Sequence, residues 1–329
     1  MTHSGGLPIT TPVFTAPADG LVPAAPGCWV TPDTLALCSF PEHYHFLQVL
    51  ASIQRYPEGF VAGLSALILR RIPVPHGSRV VTLLHRKRHG TTRDGSIHFH
   101  SVGATSIRWA TKVKGATTIL CVRPDYALLD ALRWSVHSLP DAVALVDSVL
   151  RHTHFTLSDL QDAYARQKAV AHRHAHPLID RALALAVPGV DSIRESQLRM
   201  RLYALGFPPP LVHPLISDTD GYTALGTPDL YYPDARVALE YDGAGKFQGD
   251  FGVLPADSLT LHHVRADRLA TVGVHVIHLN NARFAAGSWA DDVTRALDDP
   301  RGPLPEYQVS GGIPAWETKR GPRWKLSGY

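Results

Sequence analysis

Asp229 sits in Thr227-Pro228-Asp229-Leu230, and Val237-Ala238-Leu239-Glu240-Tyr241-Asp242-Gly243 follows closely, with two more carboxylates at alternate positions. Strand side chains alternate faces, so in an extended segment Glu240 and Asp242 point the same way, with Cα atoms about 7 Å apart. With Asp229 across from them on the next strand, three carboxylates converge. Oxygen-rich groups of this kind hold Mg²⁺ or Mn²⁺, the cofactor that phosphodiester hydrolysis commonly needs. Asp229, Glu240 and Asp242 are therefore the candidate metal ligands and catalytic acids. A plain alternative accounts for the same residues: Pro-Asp and Asp-Gly are ordinary turn dipeptides, so a strand running into a turn gives the same letters.

The flanking elements must position these acids. Ser192-Ile193-Arg194-Glu195 is a capping-box pattern ahead of Leu198, Leu202 and Leu205, with Gly206 as the stop signal. The spacing predicts a second helix over His263 to Val272, ended by Gly273, and then a short buried strand over Val274 to Leu279. The order is helix, three strands, helix, strand.

Those pieces in that order resemble the PD-(D/E)xK nuclease superfamily, and within it the very-short-patch-repair-like branch. The likeness spans residues 190–285 and rests on Ser192 to Glu195, Pro228-Asp229, Glu240 to Gly243, Arg265-Ala266-Asp267-Arg268-Leu269 and Gly273 to Val276. Lys246-Phe247 looks like the basic–aromatic pair that follows the acids in actinobacterial members. The resemblance implies an α/β restriction-endonuclease-like domain with a mixed sheet flanked by helices. It implies Mg²⁺ or Mn²⁺ on Asp229 and Glu240, with the Tyr241 carbonyl as a further ligand. Asp242 would complete the cluster, Glu195 would bind through water from its helix, and Lys246 would stand near the phosphate. There are two departures. Asp242 occupies the place where many relatives carry Lys, and His262-His263 stand where relatives carry a Glu and a Lys. A nuclease fold kept as a scaffold is the second implication.

Residues 1–40 are rich in Pro, Gly, Thr and Ala and read as an irregular arm, with Gly27 to Val30 as a candidate strand. Residues 41–190 read as an α+β region. Helices are predicted over 42–56 and 59–70. A small, mainly antiparallel sheet follows over Val80 to Leu84, Ile97 to His100, Ser106 to Ala110 and Thr117 to Val122, and then helices from Pro124 onward. Gly63-Leu64-Ser65-Ala66 and Val122 to Asp130 resemble AbiEi-type proteins of type IV toxin–antitoxin systems, so the whole chain carries that likeness. It implies a regulator that antagonises a toxin or exclusion protein. The 26 residues ahead of Gly27 are too few and too rich in Pro and Gly for the winged helix usual in such proteins. Residues 191–300 form the nuclease-like domain, and 301–329 read as a basic tail containing Pro, Gly and Trp.

The formal net charge of +3 excludes a strongly basic nucleic-acid binder, so DNA or RNA contact must come from local patches. The candidates are Arg86, Lys87 and Arg88 in one loop, Arg265 in the second helix, and Lys319, Arg320 and Arg323 near the end, where tryptophans interleave with cations. Three widely spaced cysteines, the lack of a secretory signal and the lack of a long apolar run point to a cytoplasmic protein that does not enter a membrane.

Overall fold

The computed structural model describes residues 11–75, 80–101, 110–113, 119–171, 176–242, 265–299 and 304–317. The architecture is mixed α and β, with several sheets, and the chain divides between Pro188 and Gly189 into two compact units. No helix among the described residues is long and apolar enough to cross a membrane.

The unit Gly6–Pro188 opens with a hairpin, β1 (Val22–Ala25) and β2 (Cys28–Val30), and a short helix, α1 (Pro32–Ala36), capped by the Thr31 hydroxyl. The expected irregular arm is thus partly regular, because Cys28 and Val30 alternate into the core. Helix α2 (Pro41–Arg55) follows the predicted range closely. The predicted helix over 59–70 is instead a strand, β3 (Phe60–Val61), and a shorter helix, α3 (Gly63–Leu69). Phe60 and Val61, an aromatic and a β-branched residue, pair into the sheet rather than coil.

The remaining strands are β4 (Val81–His85), β5 (Gly90–Thr91), β6 (Ile97–Ser101), β7 (Ala110–Val113) and β8 (Ile119–Val122), in the order β5-β6-β4-β3-β8-β7. The β5–β6, β4–β3 and β8–β7 pairs are antiparallel, as expected, while β4–β6 and β3–β8 are parallel and make the sheet mixed. The cause is a tight turn in which Thr92 and Ser96 both donate to Asp94, at 2.6 and 2.7 Å. It folds β5 back on β6, so β6 runs along β4 with β5 outside. Most of the strand expected over Ser106 to Ala110 lies outside the described residues. Helices α4 (Pro124–Trp134), α5 (Leu139–His152), α6 (Leu157–Ala171) and α7 (Pro177–Leu185) follow, and the leucines at helical spacing, Leu128, Leu132, Leu145 and Leu160, are fully buried.

In the unit that begins at Gly189, helix α8 (Ile193–Ala204) is capped as the capping box requires: the Ser192 hydroxyl accepts the Glu195 N–H at 3.2 Å. The strands are β9 (Leu211–Val212), β10 (Leu215–Ser217), β11 (Ala224–Gly226), β12 (Leu230–Tyr232) and β13 (Val237–Tyr241). A helix over 265–271 (α9), β14 (His275–Leu279), α10 (Asn281–Ala286), α11 (Trp289–Asp298), β15 (Gln308–Ser310) and β16 (Ile313–Pro314) complete it. Five strands form a mixed sheet in the order β14-β13-β12-β9-β16, with only β13–β14 parallel. A three-stranded antiparallel sheet, β11-β10-β15, shares an apolar core with α9 and one face of the larger sheet, built on Ile216, Leu225, Tyr231, Ala238, Leu269 and Val272.

The expected tail over 301–329 is not separate where it is described. Both β15 and β16 join sheets, and Trp316 is buried with its ring edge-on to Tyr203.

Helix α9 ends on a two-bond glycine cap. Gly273 N–H donates to Ala270 O at 2.9 Å and Val274 N–H to Leu269 O at 3.1 Å, with Gly273 at φ +73°. A Cβ on Gly273 would lie 2.7 Å from Leu304 Cδ2. Gly273→Ala is therefore expected to lower stability by about 1–2 kcal/mol from the left-handed backbone alone, with a further loss from the crowded leucine. Urea unfolding of the two proteins measures the difference.

Candidate metal centre

The strand register brings the acids to one face. Leu230 pairs with Leu239 on one side and Val212 on the other, and Glu240 pairs with His278 across the parallel ladder. Asp229 is the residue just before β12, and continuing the β12–β13 register sets it across from Glu240. Directly opposed residues on neighbouring strands share a face, so Asp229, Glu240 and His278 form a row. Tyr231, Ala238 and Val276, two positions along, share that face, and they pack into the core that α9 closes. Arg265, one helical turn before Leu269, reaches over the row, and its Nη2 donates to Glu240 Oε2 at 2.8 Å. Gly226 makes room for it: a Cβ there would meet Arg265 Cγ at 3.1 Å.

Asp229 is held by the backbone. Its Oδ2 accepts the Tyr241 N–H at 2.7 Å, satisfying a donor that lies beyond the last ladder pair of β12 with β13. His213, just after β9, takes a left-handed backbone with φ +47° and donates its N–H to Asp229 O at 3.2 Å. The His213 Nε2 lies 2.9 Å from Glu195 Oε2 and 3.9 Å from Asp229 Oδ1. Glu195 is fixed in turn, since its Oε2 accepts the Asp191 N–H at 3.2 Å.

The three expected carboxylates fall between two groups of possible ligands. Two groups of ligating atoms lie mutually within 4.8 Å among the described residues: Glu195, His213 and Asp229 in one, and Glu240, Asp242 and His278 in the other. Each contains an imidazole that sequence reasoning missed as a ligand. The reason is that the pairing of β9 with β12 and the parallel pairing of β14 with β13 set neighbours no local spacing reveals. Only the alternation in Val274 to Leu279, which puts Val276 and His278 on one side, hinted at His278.

Charge follows this arrangement. Burial pulls the His213 pKa down, but the hydrogen bond to Glu195 and the charges of Glu195, Asp229 and Asp191 outweigh it, so the net direction is up. The hydrogen bond to Asp242 is the largest influence on His278 and raises its pKa. Burial and Arg265 oppose that rise, and the charges of Asp242 and Glu240 add to it. A histidine whose native pKa is raised contributes stability that is full below its unfolded pKa, near 6.5, and is lost as pH rises through the higher native value. The metal-free protein is therefore expected to lose stability as pH rises from about 6 toward 8. Denaturant titrations in the presence of a chelator should show that slope flattened in His213→Asn.

Other candidates fall elsewhere. Arg86, Lys87 and Arg88 occupy the exposed β4–β5 loop of the first unit, where Arg88 and Arg55 lie over the Tyr56 ring at 5.0 and 5.5 Å. His98 bonds the Thr91 hydroxyl at 2.8 Å, and His100 stacks on Trp134 with centroids 3.6 Å apart. Neither belongs to a metal-competent group among the described residues. Lys246, His262, His263, Lys319, Arg320 and Arg323 lie outside the described residues. Compared with known proteins, the chain matches no family model, and no curated protein is significantly similar to it.

Proposed function

We propose that the unit beginning at Gly189 is a restriction-endonuclease-like domain that hydrolyses phosphodiester bonds of DNA or RNA with a divalent cation. The observation that carries the reading is the row Asp229–Glu240–His278 on one sheet face, flanked by Glu195, His213, Asp242 and Arg265. The mixed sheet, with a helix in the crossover between its parallel strands β13 and β14, suits that fold. Carboxylate oxygens and neutral imidazole are donors that divalent ions accept, so the residues present fit such an ion.

When bound, the cation polarises a phosphoryl oxygen and makes its water a nucleophile near neutral pH. Asp229 would hold it, and Glu195, Glu240 and Asp242 would surround it with negative charge that balances its own. Arg265 is the described cation nearest the row. It replaces in part the lysine whose position Asp242 occupies, and its guanidinium suits a phosphate oxygen. The exposed loop Arg86 to Arg88 supplies backbone contacts that carry no sequence information. The setting is a cytoplasmic defence or toxin–antitoxin system.

One observation favours a second reading. Arg265 already pairs with Glu240 at 2.8 Å, so a protein cation stands where an ion would draw on that carboxylate. A non-catalytic AbiEi-like regulator, with the face used to bind a toxin or exclusion protein, needs no ion there. Incubation with plasmid DNA, single-stranded DNA and RNA, with Mg²⁺ or Mn²⁺ and then with excess chelator, separates the two. Cleavage abolished by chelation supports the nuclease. Intact substrates in every metal-containing reaction leave the regulator.

A further inference from the structure

We infer that Glu195, His213 and Asp229 form the binding site of one transition-metal ion of the Mn²⁺, Co²⁺ or Zn²⁺ class. Its purpose rests on the nuclease reading, and its existence can be tested apart from that reading. The departure from the sequence expectation is specific. The ion lies on the His213 side of Asp229, with an imidazole ligand and Glu195 bound directly, rather than among Asp229, Glu240 and Asp242.

The distances carry this. His213 Nε2 is 2.9 Å from Glu195 Oε2 and 3.9 Å from Asp229 Oδ1, and the three ligating atoms lie within 4.8 Å of one another. Ligands about 2.0–2.2 Å from a tetrahedral ion stand roughly 3.3–3.6 Å apart, and the two imidazole–carboxylate distances bracket that range. Small side-chain shifts suffice to close the site around an ion.

The far side of the ring points the same way. His213 Nδ1 lies 3.9 Å from Asp191 Oδ2, so the imidazole has a carboxylate behind it and two in front. At 3.9 Å that carboxylate is too far for a direct hydrogen bond, and it adds negative charge behind the ring. Both acids are anchored by the main chain: Glu195 by the Asp191 N–H and Asp229 by the Tyr241 N–H. Three protein ligands leave a fourth position for water or a phosphoryl oxygen, as catalytic sites require.

The neighbouring group is the weaker competitor. Arg265 occupies Glu240 Oε2 at 2.8 Å, and a guanidinium so placed repels a second cation from Glu240, Asp242 and His278. Metal choice follows from the donors. Imidazole nitrogen favours Mn²⁺, Co²⁺ and Zn²⁺ over Mg²⁺, which prefers oxygen ligands and keeps its waters.

Titration of the full-length protein with Mn²⁺, followed by the electron paramagnetic resonance of the free ion, tests this. One ion should bind, and Mg²⁺ at equal concentration should not displace it. His213→Asn, whose side chain tolerates the left-handed backbone, should weaken Mn²⁺ binding by about 10-fold or more, while His98→Ala, in the other unit and in neither ligand group, should bind as the parent does. Glu195→Gln leaves His213 in place and should weaken binding similarly, which covers the case in which His213→Asn does not fold. Parent-like Mn²⁺ affinity in a folded His213→Asn or in Glu195→Gln overturns the inference. So does transfer of the loss to His98→Ala, or displacement by equal Mg²⁺. Binding that depends on His213 without cleavage of any nucleic acid upholds the site and removes the nuclease reading. Metal-dependent cleavage with parent-like binding in His213→Asn does the reverse.

Discussion

Asp229→Asn and Glu240→Gln are each expected to reduce metal-dependent cleavage by about 10²–10³-fold or more, the scale of losing one preorganised electrostatic element of a hydrolytic site. Both changes preserve volume and remove the negative charge. Asn keeps an oxygen that can accept the Tyr241 N–H now bonded at 2.7 Å, so the end of β12 stays closed on β13. Gln removes the ionic partner of Arg265, whose side chain is 32% exposed and finds water instead. Circular dichroism and unfolding midpoints close to those of the parent protein should accompany the loss. Undiminished cleavage by Asp229→Asn, or cleavage that survives excess chelator, would place the chemistry elsewhere in the chain.

Trp289→Ala should give the largest loss of stability, about 3–5 kcal/mol, in the range of large aromatic truncations in a core. Trp289 is fully buried at the start of α11, stacks on Phe284 with centroids 6.0 Å apart, and donates its indole N–H to Phe284 O at 3.3 Å. Helix α11 packs on β13 and β14, the strands that carry Glu240 and His278. Stability of this size is a large part of what a domain has. Guanidinium unfolding should show the transition of this unit at lower denaturant, and cleavage should fall in step with the folded fraction. A midpoint unchanged from the parent would mean that the aromatic cluster does not hold the sheet together. The two kinds of substitution are thus distinguishable: the acid replacements remove cleavage with the fold retained, and Trp289→Ala removes it through the fold.

Local rules made the local parts of the site legible. The Ser192–Glu195 box starts α8 because a hydroxyl satisfies a free N–H of the first turn. Gly273 ends α9 because the capping bonds need a left-handed residue. The alternation in Glu240-Tyr241-Asp242 brought both acids to His278, and the short connection from Tyr232 to Val237 brought the Asp229 carboxylate to the Tyr241 N–H. Each of these depends on residues a few positions apart, so spacing alone determined it.

Long-range pairing decided the rest. His278 meets Glu240 only because β14 docks parallel to β13 after a crossover, and His213 meets Glu195 and Asp229 only because β9 takes the other side of β12 and its last turn reverses the backbone. The sequence places His213 18 residues from Glu195 and has no periodic signal for it. The Phe60–Val61 strand and the parallel pairs of the first sheet were hidden in the same way, since short apolar runs suit helix and strand alike until their partners are known. Residue types and alternation therefore determined which carboxylates could act together. The tertiary structure decided that each of the two ligand groups contains a histidine, because strand order and register are settled by packing across the sheet rather than along the chain.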